Sequence, residues 1–237
     1  MIYNIYNLIV LIVILSAGLI FTINFSKNYK LKINFIVLLY FWHLFFSLIY
    51  FFYTFYKKSD AYTYYYLTLT RTFSHIEPGS HFISNICYLL GNIGNLSFMN
   101  VFAIFNFIGF LGLLFLTLSL NKIKKIELNN YYILIIFLPS ISFWSSAIGK
   151  DAISFLAICL FIWSSIDLKN KVHISIISVL IMFLVRPHIS IVMLFSLAIA
   201  VIFQKNIQKS TKIFIFIFLS LSFAILLPIV SNFVNIK

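Results

Sequence analysis

Long apolar runs alternate with short polar breaks along most of the chain. A helix that crosses hydrocarbon needs roughly 20 apolar residues, and eight runs approach that length: about 5–25, 33–56, 101–120, 131–148, 152–166, 172–185, 189–203 and 213–230. The fourth to seventh are short, and residues 172–203 also read as one long helix broken at Arg186-Pro187. Proline disfavours helical geometry in the residue before it, and a single helix would move Lys205, Lys209 and Lys212 to the other side of the membrane. Two helical hairpins are therefore predicted, with apices at Gly149-Lys150-Asp151 and Arg186-Pro187-His188.

One long connection remains, residues 57–100. Within it Phe82, Ile86, Leu89, Ile93 and Leu96 recur at spacings of three and four, the signature of one helical face. This segment is predicted to be an amphipathic helix along the membrane interface, either walling a cavity or simply resting on the bilayer. The expected fold is all-α: a polytopic bundle of about eight spans forming a single integral membrane domain over 1–237.

Composition agrees with that pattern. The chain is 62% hydrophobic and 9% charged, where an ordinary globular domain is about 25% charged, and its mean hydropathy is +1.06. The first run lacks a basic stretch before it, so it reads as a retained span and not a cleaved leader. Cys87 and Cys159 are expected at different depths, with neither a disulfide nor a metal site.

The net charge of +12 would point to nucleic acid in a soluble protein. Here the lysines flank apolar runs, so membrane lipid is the expected partner and nucleic acid is not. Lys27, Lys30, Lys32, Lys122, Lys124, Lys125, Lys169, Lys171, Lys205, Lys209 and Lys212 all fall in alternate loops, eleven of the 17 basic residues. That face is expected to be cytoplasmic, leaving the long loop and both termini outside. The outer set is sparse and mixed: Asp60, Arg71, His75, Glu77, His81, Lys150, Asp151, Arg186 and His188.

Helices of about 15 residues cover roughly 22 Å against a hydrocarbon core near 30 Å. Both apices are then expected to sit below the outer headgroups, where charged, irregular backbone survives only inside protein or beside a water-filled cavity. An outward-facing polar cavity is the prediction.

Each candidate residue there has two readings. Asp60, followed by Tyr62, Tyr64, Tyr65 and Tyr66, is either a base for an acceptor hydroxyl or part of an aromatic interfacial anchor. Lys150 near hydrocarbon requires an anionic partner, which is Asp151 or a ligand phosphate. Asp151 itself suits a helix N-terminus. Arg186 either forks to phosphate or pairs with Asp151 and ties the hairpins together. His43, within the second run, is read as an interhelical hydrogen-bonding residue in preference to a catalyst, and Glu77 is expected to belong to a turn with Pro78-Gly79. No Walker loop, dinucleotide fingerprint, zinc motif or nucleophile elbow is present.

Ser59-Asp60-Ala61-Tyr62 with Tyr64-Tyr65, then Leu138-Pro139-Ser140-Ile141-Ser142-Phe143-Trp144-Ser145-Ser146 running into Gly149-Lys150-Asp151-Ala152, then Arg186-Pro187-His188, resemble bacterial surface-polysaccharide membrane proteins. These are the O-antigen and capsule polymerases and the multispanning glycosyltransferases that use polyprenyl-phosphate-linked sugars. Such proteins usually have more than eight spans, so the resemblance leaves a truncated member, half of a complex or a degenerate copy open. It implies a bacterial cytoplasmic-membrane protein acting at the outer face on a polyprenyl-phosphate-linked glycan, without a cofactor, alongside other polysaccharide-assembly proteins. On that basis Asp60, Lys150 and Arg186 are the expected catalytic residues, and Asp151, His188, Trp144 and Tyr64 the expected substrate contacts. A flippase for lipid-linked oligosaccharide and a non-catalytic membrane partner are the alternatives.

Overall fold

In a computed structural model of the chain the described residues are 5–57, 59–69, 77–123, 131–203, 213, 216, 217 and 220. The eighth predicted span apart from residues 213, 216, 217 and 220, together with Lys58, Arg71, His75, Lys124, Lys125, Lys205, Lys209, Lys212 and Lys237, lies outside them. Among the described residues all regular structure is helical. The helices are α1 (Ile5–Asn28), α2 (Ile33–Tyr56), α3 (Asp60–Leu69), α4 (Ser80–Tyr88), α5 (Phe98–Ile123), α6 (Tyr131–Ile136), α7 (Pro139–Ser145), α8 (Lys150–Ser165), α9 (Leu168–Val185) and α10 (Pro187–Phe203).

Three of them, α1, α2 and α5, are long and apolar enough to cross a membrane. The predicted fourth span is instead two short helices. Pro139 occupies the first position of α7, where its missing N–H is harmless, and extended Leu138 before it ends the α6 path. Between them α8, α9 and α10 run 16, 18 and 17 residues; at 1.5 Å per residue α8 covers about 24 Å.

Helix α5 is the hub, packing on α1, α2, α7 and α8. Gly109 lets it do so: a Cβ there would stand 1.8 Å from the Ser145 carbonyl oxygen and 3.2 Å from His43 Nε2. His43 and Asn106 are buried at this seam. Near the opposite ends of α5, Phe102 and Phe105 join one apolar cluster while Leu114 and Leu118 join another. Helices α9 and α10 fold back on each other, with Met182 and Met193 in one cluster with Phe161, so the hairpin at Arg186-Pro187 is formed and the single broken helix is not.

The 57–100 connection carries more order than its sequence suggested. Helix α3 buries Ala61 and Tyr65, and the Tyr65 hydroxyl donates to the Leu96 carbonyl at 2.8 Å. Helix α4 packs on α3 and α9, with Ile83 and Cys87 inside the bundle. A π turn, Leu89–Ile93, follows, in which the Gly94 N–H reaches the Leu89 carbonyl at 2.9 Å. That extra residue per turn rotates the stripe, so Leu89 and Ile93 point outward and Gly91 inward. The predicted face therefore holds for Phe82, Ile86 and Leu96, which are partly buried in the cluster, and fails at Leu89 and Ile93. Burial pushes the Cys87 thiol up to about 12, since a thiolate there would lose its hydration.

Any side chain at position 109 must separate α5 from α7. Gly109→Val is expected to cost about 1–3 kcal/mol by overpacking, read as a lower thermal unfolding midpoint in detergent. Gly149→Ala, which meets nothing within 4 Å, is expected to stay within about 0.5 kcal/mol of the parent; equal midpoints for both variants would contradict the close approach.

Candidate functional site

The two apices predicted from the sequence meet. Asp151 lies in the first turn of α8, and Arg186 is the linking residue between α9 and α10, with extended backbone. The Arg186 guanidinium donates through Nη2 to Asp151 Oδ1. The pair is partly open, with side chains 31% and 49% exposed, so it is neither a screened surface contact nor a dry buried one. The Arg186 carbonyl also accepts from the Ile189 and Ser190 N–H groups, capping α10 and fixing the guanidinium's base.

The 57–100 connection is strapped onto this pair. Gly79 has φ 97°, a conformation that suits glycine, and its N–H donates to the Leu184 carbonyl at 2.8 Å, two residues before Arg186. The Lys150 ammonium stands beside the same turn, 4.0 Å from where a Gly79 Cβ would be. Glu77, one turn of chain earlier, faces His81 at 3.9 Å. Tyr64 on α3 donates to Ser80 Oγ on α4 at 3.4 Å. Its hydroxyl is held above the ordinary tyrosine value, first by burial and then by the Asp60 carboxylate, with Arg186 opposing. Asp60 and Asp151 both lie within electrostatic reach of the Tyr50 hydroxyl on α2.

A cleft of about 460 Å³ opens beside the ion pair, lined by Ser140, Trp144 and Ser145 of α7, by Asp151, Ser154, Phe155 and Ile158 of α8, and by Arg186. It descends α8 from Asp151 to Ile158, seven residues or roughly 10 Å. Its upper end is charged, its wall carries hydroxyls, and its floor is apolar. Trp144 is 53% exposed, with its ring edge-on to Tyr50. Ser154 is 4% exposed and its hydroxyl has no hydrogen-bond partner among the described residues, whereas Ser145 donates to its own helix at the Ile141 carbonyl, 2.7 Å away. A buried hydroxyl in that condition is costly unless something else bonds it.

Of the seven residues singled out in the sequence, Asp151, Arg186 and Trp144 share the cleft. Lys150 and Tyr64 sit behind it at the strap, and Asp60 is exposed on α3, within range of Tyr64 but not on the cleft wall. His188 is exposed in the first turn of α10, and nothing ties it to the cleft. Sequence reasoning missed Ser154, Phe155 and Ile158, although they follow Asp151 at three, four and seven residues, the spacing of one helical face. Among the described residues no group of three or more acidic, histidine or cysteine side chains is placed to hold a metal.

Arg186→Ala strands the Asp151 carboxylate and is expected to cost about 1–3 kcal/mol, between the surface and buried extremes. Asp151→Asn keeps an acceptor for the guanidinium and is expected to cost less; the order of the two unfolding midpoints in detergent is the check.

Comparison with family models, with curated proteins and with solved structures gives no match to this chain.

Proposed function

We propose that this chain is a bacterial inner-membrane glycosyltransferase or polymerase acting on polyprenyl-phosphate-linked sugars in surface-polysaccharide synthesis, with the Asp151–Arg186 end at the outer face. The observation that carries the reading is the graded cleft: a guanidinium at its mouth, an exposed indole and an unpartnered hydroxyl on its wall, and Phe155 and Ile158 below. An anionic head with a sugar and a long hydrocarbon tail matches that gradient in order. Arg186 has five N–H donors in a planar fork, and its bond to Asp151 uses one of them.

In this reading the bond between the anomeric carbon and the carrier phosphate breaks, and the phosphate leaves with the electron pair. Arg186, with Lys150 behind it, stabilises that growing charge. The acceptor oxygen forms the new glycosidic bond to the same carbon, and its proton passes to Asp60 on α3. Trp144 offers a face on which a sugar ring stacks. Neither carrier nor acceptor needs a soluble nucleotide.

The ion pair favours a second reading, a non-catalytic partner in which Asp151 and Arg186 merely lock α8 to the α9–α10 turn. A charge exchange separates the two. The doubly substituted Asp151→Arg/Arg186→Asp chain is expected to accumulate in the membrane while surface glycan is lost and lipid-linked oligosaccharide intermediates build up, read by mass spectrometry. Single repeat units would mark a polymerase, and a missing sugar a transferase. If the exchange restores both protein and glycan, the catalytic reading fails and the structural one stands.

A further inference from the structure

At the far end of α8 from the cleft a second polar cluster surrounds Trp163. Lys171 leaves helical geometry (φ −125°, ψ 21°) inside α9, and its ammonium lies 3.4 Å from the centre of the Trp163 ring. Tyr29, in the turn between α1 and α2, meets the same indole edge-on at 6.3 Å. That turn carries exposed Lys27, Lys30 and Lys32, with Lys30 in the left-handed region at φ 53°. Lys122 at the end of α5 reaches Asp167 at 3.4 Å, and the Asn170 amide donates to the other carboxylate oxygen at 3.1 Å. Asp167 is the acidic residue among these side chains, bonded on both oxygens, and its carboxylate acts on Lys171 as well as Lys122. Lys122 and Lys171 are close enough to act on each other electrostatically.

We propose that this end holds an anionic phospholipid headgroup, its phosphate beside Lys171 and Lys122 and its glycerol against Tyr29, which is exposed where Trp163 is buried. One carboxylate against two ammonium groups leaves an excess positive charge, which a further anion relieves. The indole and phenol rings belong to the headgroup level of a bilayer, and the apolar ring of Phe115 beneath Trp163 continues towards where acyl chains run. Free phosphate supplies the same charge without a use for the aromatic pair, so the lipid is the better fit. The site is independent of the cleft at the other end.

The test is native mass spectrometry of the detergent-purified full chain titrated with dioleoyl phosphatidylglycerol, with dioleoyl phosphatidylcholine and inorganic phosphate as comparators. Phosphatidylglycerol adducts are expected at the lowest concentration. Lys171→Gln and Lys122→Gln are each expected to weaken them about fivefold, the effect of one lysine near an anionic surface, while Lys171→Arg keeps them. Lys57→Gln, at the other end, is expected to leave them unchanged. Equal binding of phosphatidylcholine, competition by inorganic phosphate at matched concentration, or parent-like binding by both glutamine variants would overturn the site.

Discussion

A charge in a chain this apolar must find its opposite, and the meeting of Asp151 with Arg186 organises the end of the molecule that matters. The two residues are 35 positions apart, and joining them brings the start of α8 against the turn between α9 and α10. Once that turn is fixed, the Leu184 carbonyl is presented to the Gly79 N–H, and the connection between α2 and α5 has a place to dock. Tyr64, Ser80 and Lys150 then fall around the pair as consequences of a single anchoring contact. The cleft lies between α7 and α8 beside this pair.

How much of this the sequence disclosed depends on which force set each element. Helices α1, α2 and α5 were legible because hydrocarbon demands long uninterrupted apolar runs, and their bounds follow those runs to within a few residues. The turn at Arg186 was legible because proline constrains its neighbour whatever the tertiary context. Three features were not. Helix α3 is written in tyrosine and threonine, a composition that says interface more loudly than helix, and it is held by Tyr65 reaching Leu96. The stripe over α4 drifted because a π turn depends on local hydrogen bonding that no apolar spacing records. Pro139 did signal the division of the fourth run, since proline at a first helical position is a start, but the run's hydropathy masked it.

The site was half legible for the same reason. Asp151, Arg186 and Trp144 announce themselves by charge and size in an apolar background. Ser154 and Ile158 do not, because serine bonded to its own helix is common in this chain, as at Ser145, Ser164 and Ser178. What distinguishes Ser154 is the lack of such a bond, and only packing decides that. Asp60 is the converse case: conspicuous in sequence, it stands exposed on α3 and not on the cleft wall, so its proposed part is to meet an acceptor arriving from water.

The middle of the bundle bears on which chemistry the ends can share. His43 and Asn106, with the hydroxyls of Ser142 and Ser145, are buried where α2, α5 and α7 pack together. There the α5 backbone at Gly109 lies against the Ser145 carbonyl so closely that a single methyl group has no room. Among the described residues the carboxylates and ammonium groups lie at the two ends, with none at this seam. A path for a charged headgroup would need polar partners at intervals through the hydrocarbon depth, since each unsolvated step is costly, and it would need helices able to part. The closest contact of the hub helix instead closes the space between the two charged ends. The proposed chemistry at one face and the proposed lipid at the other ask only that the bundle stay shut, and the close approach at Gly109 is consistent with that condition.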